Sequence, residues 1–239
     1  SLSITAAAPN HCIILSMQAA GQNGGTQLYG KWNDKFWYER LLEEDSASRL
    51  LNSSEKSSII KQCMQEAQIQ KQRLKKLFGE QQADIYIKRL GYQIEEEEPE
   101  LMPSFLYMGI TEPDRRTVRL NQTVIRLLRA YLESHVPAGS GQRERMMDII
   151  LFHELFHVIE ESTAGIYTRN VKVPCRILGL FPWSRRIEAA SEIGAIHFSK
   201  LMAEADFPPY LYTQYLLAAT NQYTDVDDEY GVDKETRRE

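Results

Sequence analysis

Two histidines and a glutamate stand within five consecutive residues of the chain. His153 and His157 are four residues apart, and Glu154 follows the first histidine. On a helix this spacing puts both imidazoles on one face, one turn apart, where they can share one Zn²⁺. Glu154 lies off that face but can lean toward the open side of the metal as a general base. The HExxH pattern therefore predicts a zinc-dependent metallopeptidase that hydrolyses peptide bonds with metal-activated water.

The residues around this motif are apolar on almost every side. They are Ile149, Ile150, Leu151, Phe152, Leu155, Phe156, Val158 and Ile159. A helix with such a sequence is buried. Two histidines and a glutamate in a buried helix need a compensating partner, because unpaired buried polar groups cost free energy. A metal ion supplies that partner, whereas the alternative is a pair of core histidines with Glu154 at the surface.

A zinc peptidase needs a third protein ligand and an open fourth position. Glu188 and Glu192 are four residues apart on a later predicted helix, and the small residues between them allow close helix packing. We assign Glu188 to the metal and Glu192 to a hydrogen bond that orients a ligand histidine. The reverse order, with Glu192 as the ligand, stays open. A further alternative makes both glutamates surface residues paired with Arg185 and Arg186.

Other polar residues near the motif are weaker candidates. Glu160 and Glu161 follow it by one turn, where we expect a solvated or capping role rather than metal ligation. Tyr167, Tyr210 and Tyr212 could donate a hydrogen bond to a developing oxyanion, although packing is the simpler interpretation of each.

Hydrophobic periodicity predicts the helices that must position these residues. An amphipathic helix opens at Ser53 and stops near Gly79, and a helix of about five turns starts at Arg143 and contains the motif. A further helix covers about residues 184–205 and carries the two glutamates. The stretch 165–184 contains glycines and prolines, which favours a connection without regular structure.

One segment predicts a strand at the edge of a sheet. Thr117-Val118-Arg119-Leu120-Asn121 alternates between apolar and polar residues, which suits an exposed edge strand. An extended substrate could pair with this strand by β-addition. Asn121 is placed to cap the helix that follows.

The composition argues against several other classes of function. The net charge is −5, which argues against a broad nucleic-acid footprint. Cys12, Cys63 and Cys175 are scattered, so we expect no disulfide framework and a reducing compartment. No apolar stretch reaches the roughly 18–20 residues of a membrane helix. We therefore predict a cytoplasmic protein with no direct nucleic-acid or membrane partner.

The motif region resembles the ImmA/IrrE-like metallopeptidases, a gluzincin-type group. Leu90-Gly91-Tyr92-Gln93-Ile94 looks like the glycine and short strand of that family, and Thr117 to Asn121 looks like its edge strand. His153 to His157 matches its zinc helix. Glu188 to Glu192 resembles its Glu-x-x-Ala-Asn segment and the Glu-x-x-x-Asp segment of thermolysin-like enzymes. Both likenesses place the ligand at Glu188 and the helper at Glu192.

The resemblance implies an α+β fold with a mostly helical zincin-like core and a small sheet with an exposed edge strand. We accordingly divide the chain into an N-terminal helical region (1–80), a metallopeptidase domain (81–224) and a charged tail (225–239). Many family members act on DNA-binding repressors, so the expected partner is a protein or peptide, with a repressor as one candidate. Ser191-Glu192 departs from the family's Ala-Asn. This departure motivates a second hypothesis, a non-cleaving metal-bearing sensor that binds a regulator. A metal-free helical scaffold is the third.

Overall fold

A computed structural model describes residues 33–102, 105–177 and 181–220 of the chain. The described residues form an α+β fold that is mostly helical and contains two small sheets. This confirms the predicted fold class. The predictions for Cys12 and for the charged tail lie outside the described residues.

In the described chain, three α-helices precede the first three strands, three more precede the last two strands, and two follow them. The helices are α1 (Asp34–Glu44), α2 (Ser53–Phe78), α3 (Ala83–Arg89), α4 (Gln122–His135), α5 (Met146–Ser162), α6 (Tyr167–Asn170), α7 (Ala189–Met202) and α8 (Leu211–Ala219), with a short 3₁₀ helix at Ser46–Leu50. The strands are β1 (Gln93–Glu97), β2 (Gly109–Glu112), β3 (Thr117–Asn121), β4 (Lys172–Ile177) and β5 (Phe181–Arg186). None of the described helices has the combination of length and apolar character that a membrane crossing requires.

The three-stranded sheet has the order β1-β3-β2, so β3 is its central strand. Strand β3 runs parallel to β1 and antiparallel to β2. The prediction that Thr117–Asn121 forms an exposed edge strand is therefore wrong. Alternation along a strand reports which side chains share a face, but it carries no information about neighbouring strands. Among the described residues β2 pairs with β3 alone, so β2 is an edge strand.

A β-hairpin occupies much of the stretch that was expected to be an irregular connection. Strands β4 and β5 pair antiparallel, from Lys172 opposite Arg186 to Ile177 opposite Phe181. Because β5 continues to Arg186, helix α7 begins at Ala189 rather than near residue 184. Glycine and proline in this stretch suggested a loop, whereas the inter-strand hydrogen bonds that stabilise the hairpin depend on a partner strand.

One hydrophobic core joins the first helices to the rest of the described chain. Trp37 on α1, Cys63 on α2, Phe156 on α5 and Phe198 on α7 are all fully buried in it. Helix α7 packs against both α2 and α5. The described part of the predicted N-terminal region thus shares its core with the region that carries the motif.

Helices α5 and α7 approach each other closely at a glycine. A Cβ atom at Gly194 would lie 2.7 Å from the ring of Phe156, which is shorter than any ordinary carbon–carbon contact. This close approach is at Gly194, which lies beyond the small residues between Glu188 and Glu192 that were predicted to allow it. This approach brings the side chains at the start of α7 to the motif on α5.

Candidate metal centre

The motif helix α5 is buried on almost every side. His153, Glu154 and His157 are 7%, 4% and 1% exposed, and the apolar residues between them are buried as well. This confirms the burial expected from the apolar flanking sequence. The three polar side chains therefore depend on partners inside the protein.

The side chains of three residues converge beside α5. Nε2 of His153 lies 3.2 Å from Nε2 of His157. A carboxylate from the first turn of α7 completes the group, because Oε2 of Glu192 is 3.4 Å from Nε2 of His153 and Oε1 is 3.6 Å from Nε2 of His157. His153, His157 and Glu192 thus form a buried to half-buried group that could hold a metal ion.

The spacing of these atoms leaves room for one metal ion. Metal–ligand distances of about 2.0–2.2 Å at a tetrahedral angle separate ligand atoms by about 3.3–3.6 Å. The two imidazole nitrogens are 3.2 Å apart, and a different oxygen of Glu192 lies near each of them, at 3.4 and 3.6 Å. A tetrahedral ion bound by both nitrogens and one of these oxygens would have one remaining coordination position.

Glu188, the preferred third ligand, is not part of the group. Its carboxylate accepts hydrogen bonds from the guanidinium of Arg186, and its side chain is 65% exposed. Glu188 precedes the first residue of α7, so it lies on the approach from strand β5 and not on the helix face that meets α5. Glu188 therefore fills neither of its two predicted roles, because its hydrogen bonds go to Arg186 and not to a ligand histidine. The alternative ligand Glu192 reaches the imidazoles, and Glu188 forms the surface pair with arginine.

Glu160 holds the imidazole of His157 in place. Its carboxylate lies 2.9 Å from Nδ1 of His157 and accepts hydrogen bonds from the hydroxyls of Ser191, at 2.6 Å, and Thr168. The prediction of a solvated or capping role is wrong, because Glu160 is only 2% exposed. A carboxylate bound to the distal nitrogen of a ligand histidine fixes the orientation of the ring. The three-residue spacing from His157 was the available signal, since it places both side chains on one helix face.

Carboxylates surround the imidazole of His157 and favour a cation there. Burial by itself would lower the pKa of His157, but the hydrogen bond to Glu160 and the charges of Glu192, Glu160 and Glu154 outweigh it and raise the pKa to about 9. Burial would raise the pKa of Glu160, yet its hydrogen bonds, led by the one with His157, bring it below the ordinary value. The site is therefore electrostatically suited to a bound cation.

Glu154 points toward the edge strand β2. The hydroxyl of Thr111 on β2 donates to Oε2 of Glu154 over 2.9 Å. A Cβ atom at Gly109 would lie 2.7 Å from the Glu154 side chain, so glycine lets the strand backbone lie directly against it. Glu154 thus lies beside the imidazole pair and the first residues of an edge strand, and its role as a general base stays a prediction.

Burial raises the pKa of Glu154 above the ordinary value of a glutamate, although His153, His157 and the hydrogen bond from Thr111 oppose this shift. A carboxylate with a raised pKa holds a proton more readily near neutral pH. This property suits a group that accepts a proton from water and releases it again.

Two of the three candidate tyrosines lie near the centre. Tyr210 and Tyr212 line a cavity that also includes His153 and Glu154. The hydroxyl of Tyr212 already donates to the carbonyl of Gln142 over 2.6 Å. Tyr167 begins α6, and its backbone N–H donates to Glu66 on α2. An oxyanion role therefore stays a prediction, with Tyr210 as its better candidate.

No family model, curated protein or solved structure matches this chain. The resemblance to the ImmA/IrrE-like metallopeptidases therefore stays a prediction, and the centre is interpreted from its own geometry.

Proposed function

We propose that this chain is a zinc-dependent metallopeptidase. The observation that carries the proposal is the convergence of His153, His157 and Glu192, whose ligand atoms lie within 4.8 Å of one another, with Glu154 beside them. Glu154 faces an edge strand, which is where an extended substrate would lie.

Zinc is the metal that we propose for this centre. Two imidazole nitrogens and one carboxylate oxygen form one of the common ligand sets of catalytic zinc. Mg²⁺ and Ca²⁺ prefer ligand sets made of oxygen alone. The same three ligand types also bind iron in oxygenases. A buried carboxylate next to the ligands is the general base that metal-assisted hydrolysis requires, which favours zinc in this centre.

The side chains of the centre divide the work of hydrolysis. When bound, Zn²⁺ supplies a Lewis acid that polarises the scissile carbonyl and lowers the pKa of a water molecule. Glu154 accepts the proton of the attacking water and passes it to the leaving amine. Thr111 holds one carboxylate oxygen of Glu154, which leaves the other oxygen for the proton transfer. Glu160 keeps the ring of His157 oriented.

A peptide substrate in extended form would add to strand β2. The earlier expectation placed this β-addition at Val118, but that residue lies on the central strand β3. Strand β2 offers the edge instead, and it lies against Glu154 through Gly109 and Thr111. Backbone hydrogen bonds to such an edge bind a substrate without selecting its sequence. We propose a protein or peptide substrate, with a DNA-binding repressor as a candidate and the cytoplasm as the compartment.

The test separates metal binding from hydrolysis. Glu154→Gln keeps the volume of the side chain but removes the base, so we expect unchanged zinc content and a 10²–10⁴-fold loss of peptide hydrolysis. His153→Ala should lose both zinc and activity. Elemental analysis and mass spectrometry of peptide products give the two readouts. Hydrolysis by Glu154→Gln at the wild-type rate would contradict the assigned role.

The alternative, a metal-bearing module that binds a regulator without cutting it, has a distinct outcome. Wild-type protein with a full equivalent of zinc would then form a stable complex with a repressor but release no fragments.

A further inference from the structure

A second cleft lies at the C-terminal end of helix α5, outside the metal centre. Its walls come from three parts of the chain, namely the end of α5 at Glu161, the connection from α3 to β1, and the turn between β2 and β3. Glu161 is two turns beyond Glu154, which corresponds to about 10 Å along the helix axis. Neither Glu154 nor any of the proposed metal ligands lines this cleft.

Two arginines line the cleft without an acidic partner. Arg89 is the last residue of α3, and Arg116 is in the turn before β3. In the part of the chain that the structure describes, neither guanidinium forms an ion pair or a hydrogen bond. Arg115 in the same turn, by contrast, pairs with both Glu95 and Glu112. The donors of Arg89 and Arg116 are therefore available to a molecule in the cleft.

The surrounding residues position both guanidinium groups. The guanidinium carbon of Arg89 lies 5.6 Å from the ring centroid of Phe78, a cation–π contact that orients the group. A Cβ atom at Gly91 would lie 3.1 Å from Nη1 of Arg116, so glycine makes room for this guanidinium beside the backbone. Groups that are positioned before a ligand binds lose less entropy when it does.

A buried tyrosine adds a hydroxyl to the cleft. Tyr92 lines the cleft and is only 6% exposed, yet no group within the described ranges forms a hydrogen bond with its hydroxyl. Buried polar groups normally have a partner, because the lack of one costs free energy. Burial and the charge of Glu161 raise the pKa of Tyr92, whereas the charges of Arg116 and Arg169 oppose this shift. The hydroxyl thus lies among these charges and can donate to a ligand.

The charges around the cleft favour an anion. Glu161 lines the cleft too, but its carboxylate pairs with Arg169. Arg89 and Arg116 then contribute two positive charges that no described carboxylate balances. Helices α3 and α5 end beside the cleft, and each C-terminus carries about half a negative charge, which offsets only part of this excess.

We propose that this cleft binds a phosphate group through Arg89, Arg116 and the hydroxyl of Tyr92. A phosphate group offers three acceptor oxygens, one for each of the three donor groups, whereas a carboxylate offers two. Guanidinium groups also match the geometry of phosphate oxygens. The group belongs to inorganic phosphate or to a phosphorylated residue of a peptide, which present the same oxygens. The proposal does not depend on the metal centre or on peptidase activity.

Calorimetry with the full chain at constant ionic strength tests the proposal. The ligands are inorganic phosphate, a short phosphoserine peptide, the same peptide without phosphate, and acetate as a monoanion. We expect both phosphate ligands to bind at least about fivefold more tightly than acetate and the unmodified peptide. Tighter binding of the phosphoserine peptide than of inorganic phosphate supports a phosphorylated protein as the source, and the opposite order supports free phosphate. Failure of both phosphate ligands to bind overturns the proposal.

Variants locate the bound phosphate. Arg89→Gln and Arg116→Gln should each weaken phosphate binding by about tenfold, and Tyr92→Phe, which keeps the ring, by about two- to tenfold. The matched control is Arg129→Gln, because Arg129 is also exposed and lies outside the cleft. An equal loss in Arg129→Gln and Arg116→Gln would reveal nonspecific attraction and overturn the proposal. Wild-type affinity in both cleft arginine variants would overturn it as well, because the phosphate would then bind elsewhere, for example at the metal.

Discussion

Helices α2 and α5 both pack on α7, and both run for more than four turns, but different interactions stabilise them. Helix α2 begins with a capping box between Asn52 and Glu55 and ends at Gly79, whose φ of +71° suits glycine. One of its faces is apolar and the other is charged. Among the described residues no side chain caps the N-terminus of α5, and four of its polar residues are buried together with most of its apolar ones.

The two helices differ in where their stabilising interactions come from. Local signals along its own sequence can define α2, because caps and an amphipathic pattern act within a few residues. Helix α5 buries His153, Glu154, His157 and Glu160, which would be costly without partners. Those partners come from other elements, namely Thr111 on β2, Thr168 on α6 and Ser191 and Glu192 on α7.

The largest expected change in zinc affinity distinguishes the two glutamates near the start of α7. Glu192→Ala removes a carboxylate oxygen 3.4 Å from Nε2 of His153. If Glu192 is the proposed ligand, zinc affinity falls by more than the roughly 10–100-fold that loss of an outer partner causes. Glu188→Ala removes only the surface pair with Arg186 and should leave zinc affinity unchanged. Competition titration against a chromophoric chelator measures both. An equal loss in the two variants would contradict the assignment of Glu192.

A smaller loss of zinc affinity is expected at Glu160, the buried carboxylate that contacts His157. Glu160→Gln keeps the shape but removes the charge that orients and balances His157, so zinc affinity should fall by about 10–100-fold. The control is Glu161→Gln at the next position, where the carboxylate pairs with Arg169. The same titration applies. Wild-type zinc affinity in Glu160→Gln would show that His157 needs no such partner.

The smallest expected effect is on the free energy of unfolding, and it tests the cap of helix α2. Asn52→Ala removes the side chain that caps α2 and should lower the free energy of unfolding by about 0.5–2 kcal/mol. Zinc affinity should not change, because α2 contributes no ligand. Ser57→Ala, on an exposed position of the same helix, serves as the control and should stay within about 0.5 kcal/mol of wild type. Urea unfolding of the three proteins gives the comparison, and loss of zinc binding in Asn52→Ala would contradict the expectation that this cap affects stability alone.

Prediction from sequence succeeded where the signal was local. The bounds of α2 agree with its caps, and Asn121 caps α4 by accepting from the backbone N–H of Val124. The imidazole pair on α5 also follows from spacing alone, since residues four apart share a helix face. Each of these conclusions depends on atoms within one or two turns of each other.

Prediction failed where the answer depended on a distant element. The periodicity of Thr117–Asn121 could not reveal that β1 and β2 pair with both of its edges. The glycines and prolines between α6 and α7 predicted an irregular connection, but this stretch contains the β4–β5 hairpin. The role of Glu160 required the hydroxyls of Thr168 and Ser191, which lie on two other helices.

The amino-acid sequence by itself determined the pair of histidines, the glutamate beside them and the burial of their helix, because helical geometry converts short spacing into a shared face. Only the tertiary structure decided between Glu188 and Glu192. Both residues have the same chemistry and lie close together, so the start of α7 and its close approach to α5 at Gly194 determine which carboxylate reaches the imidazoles.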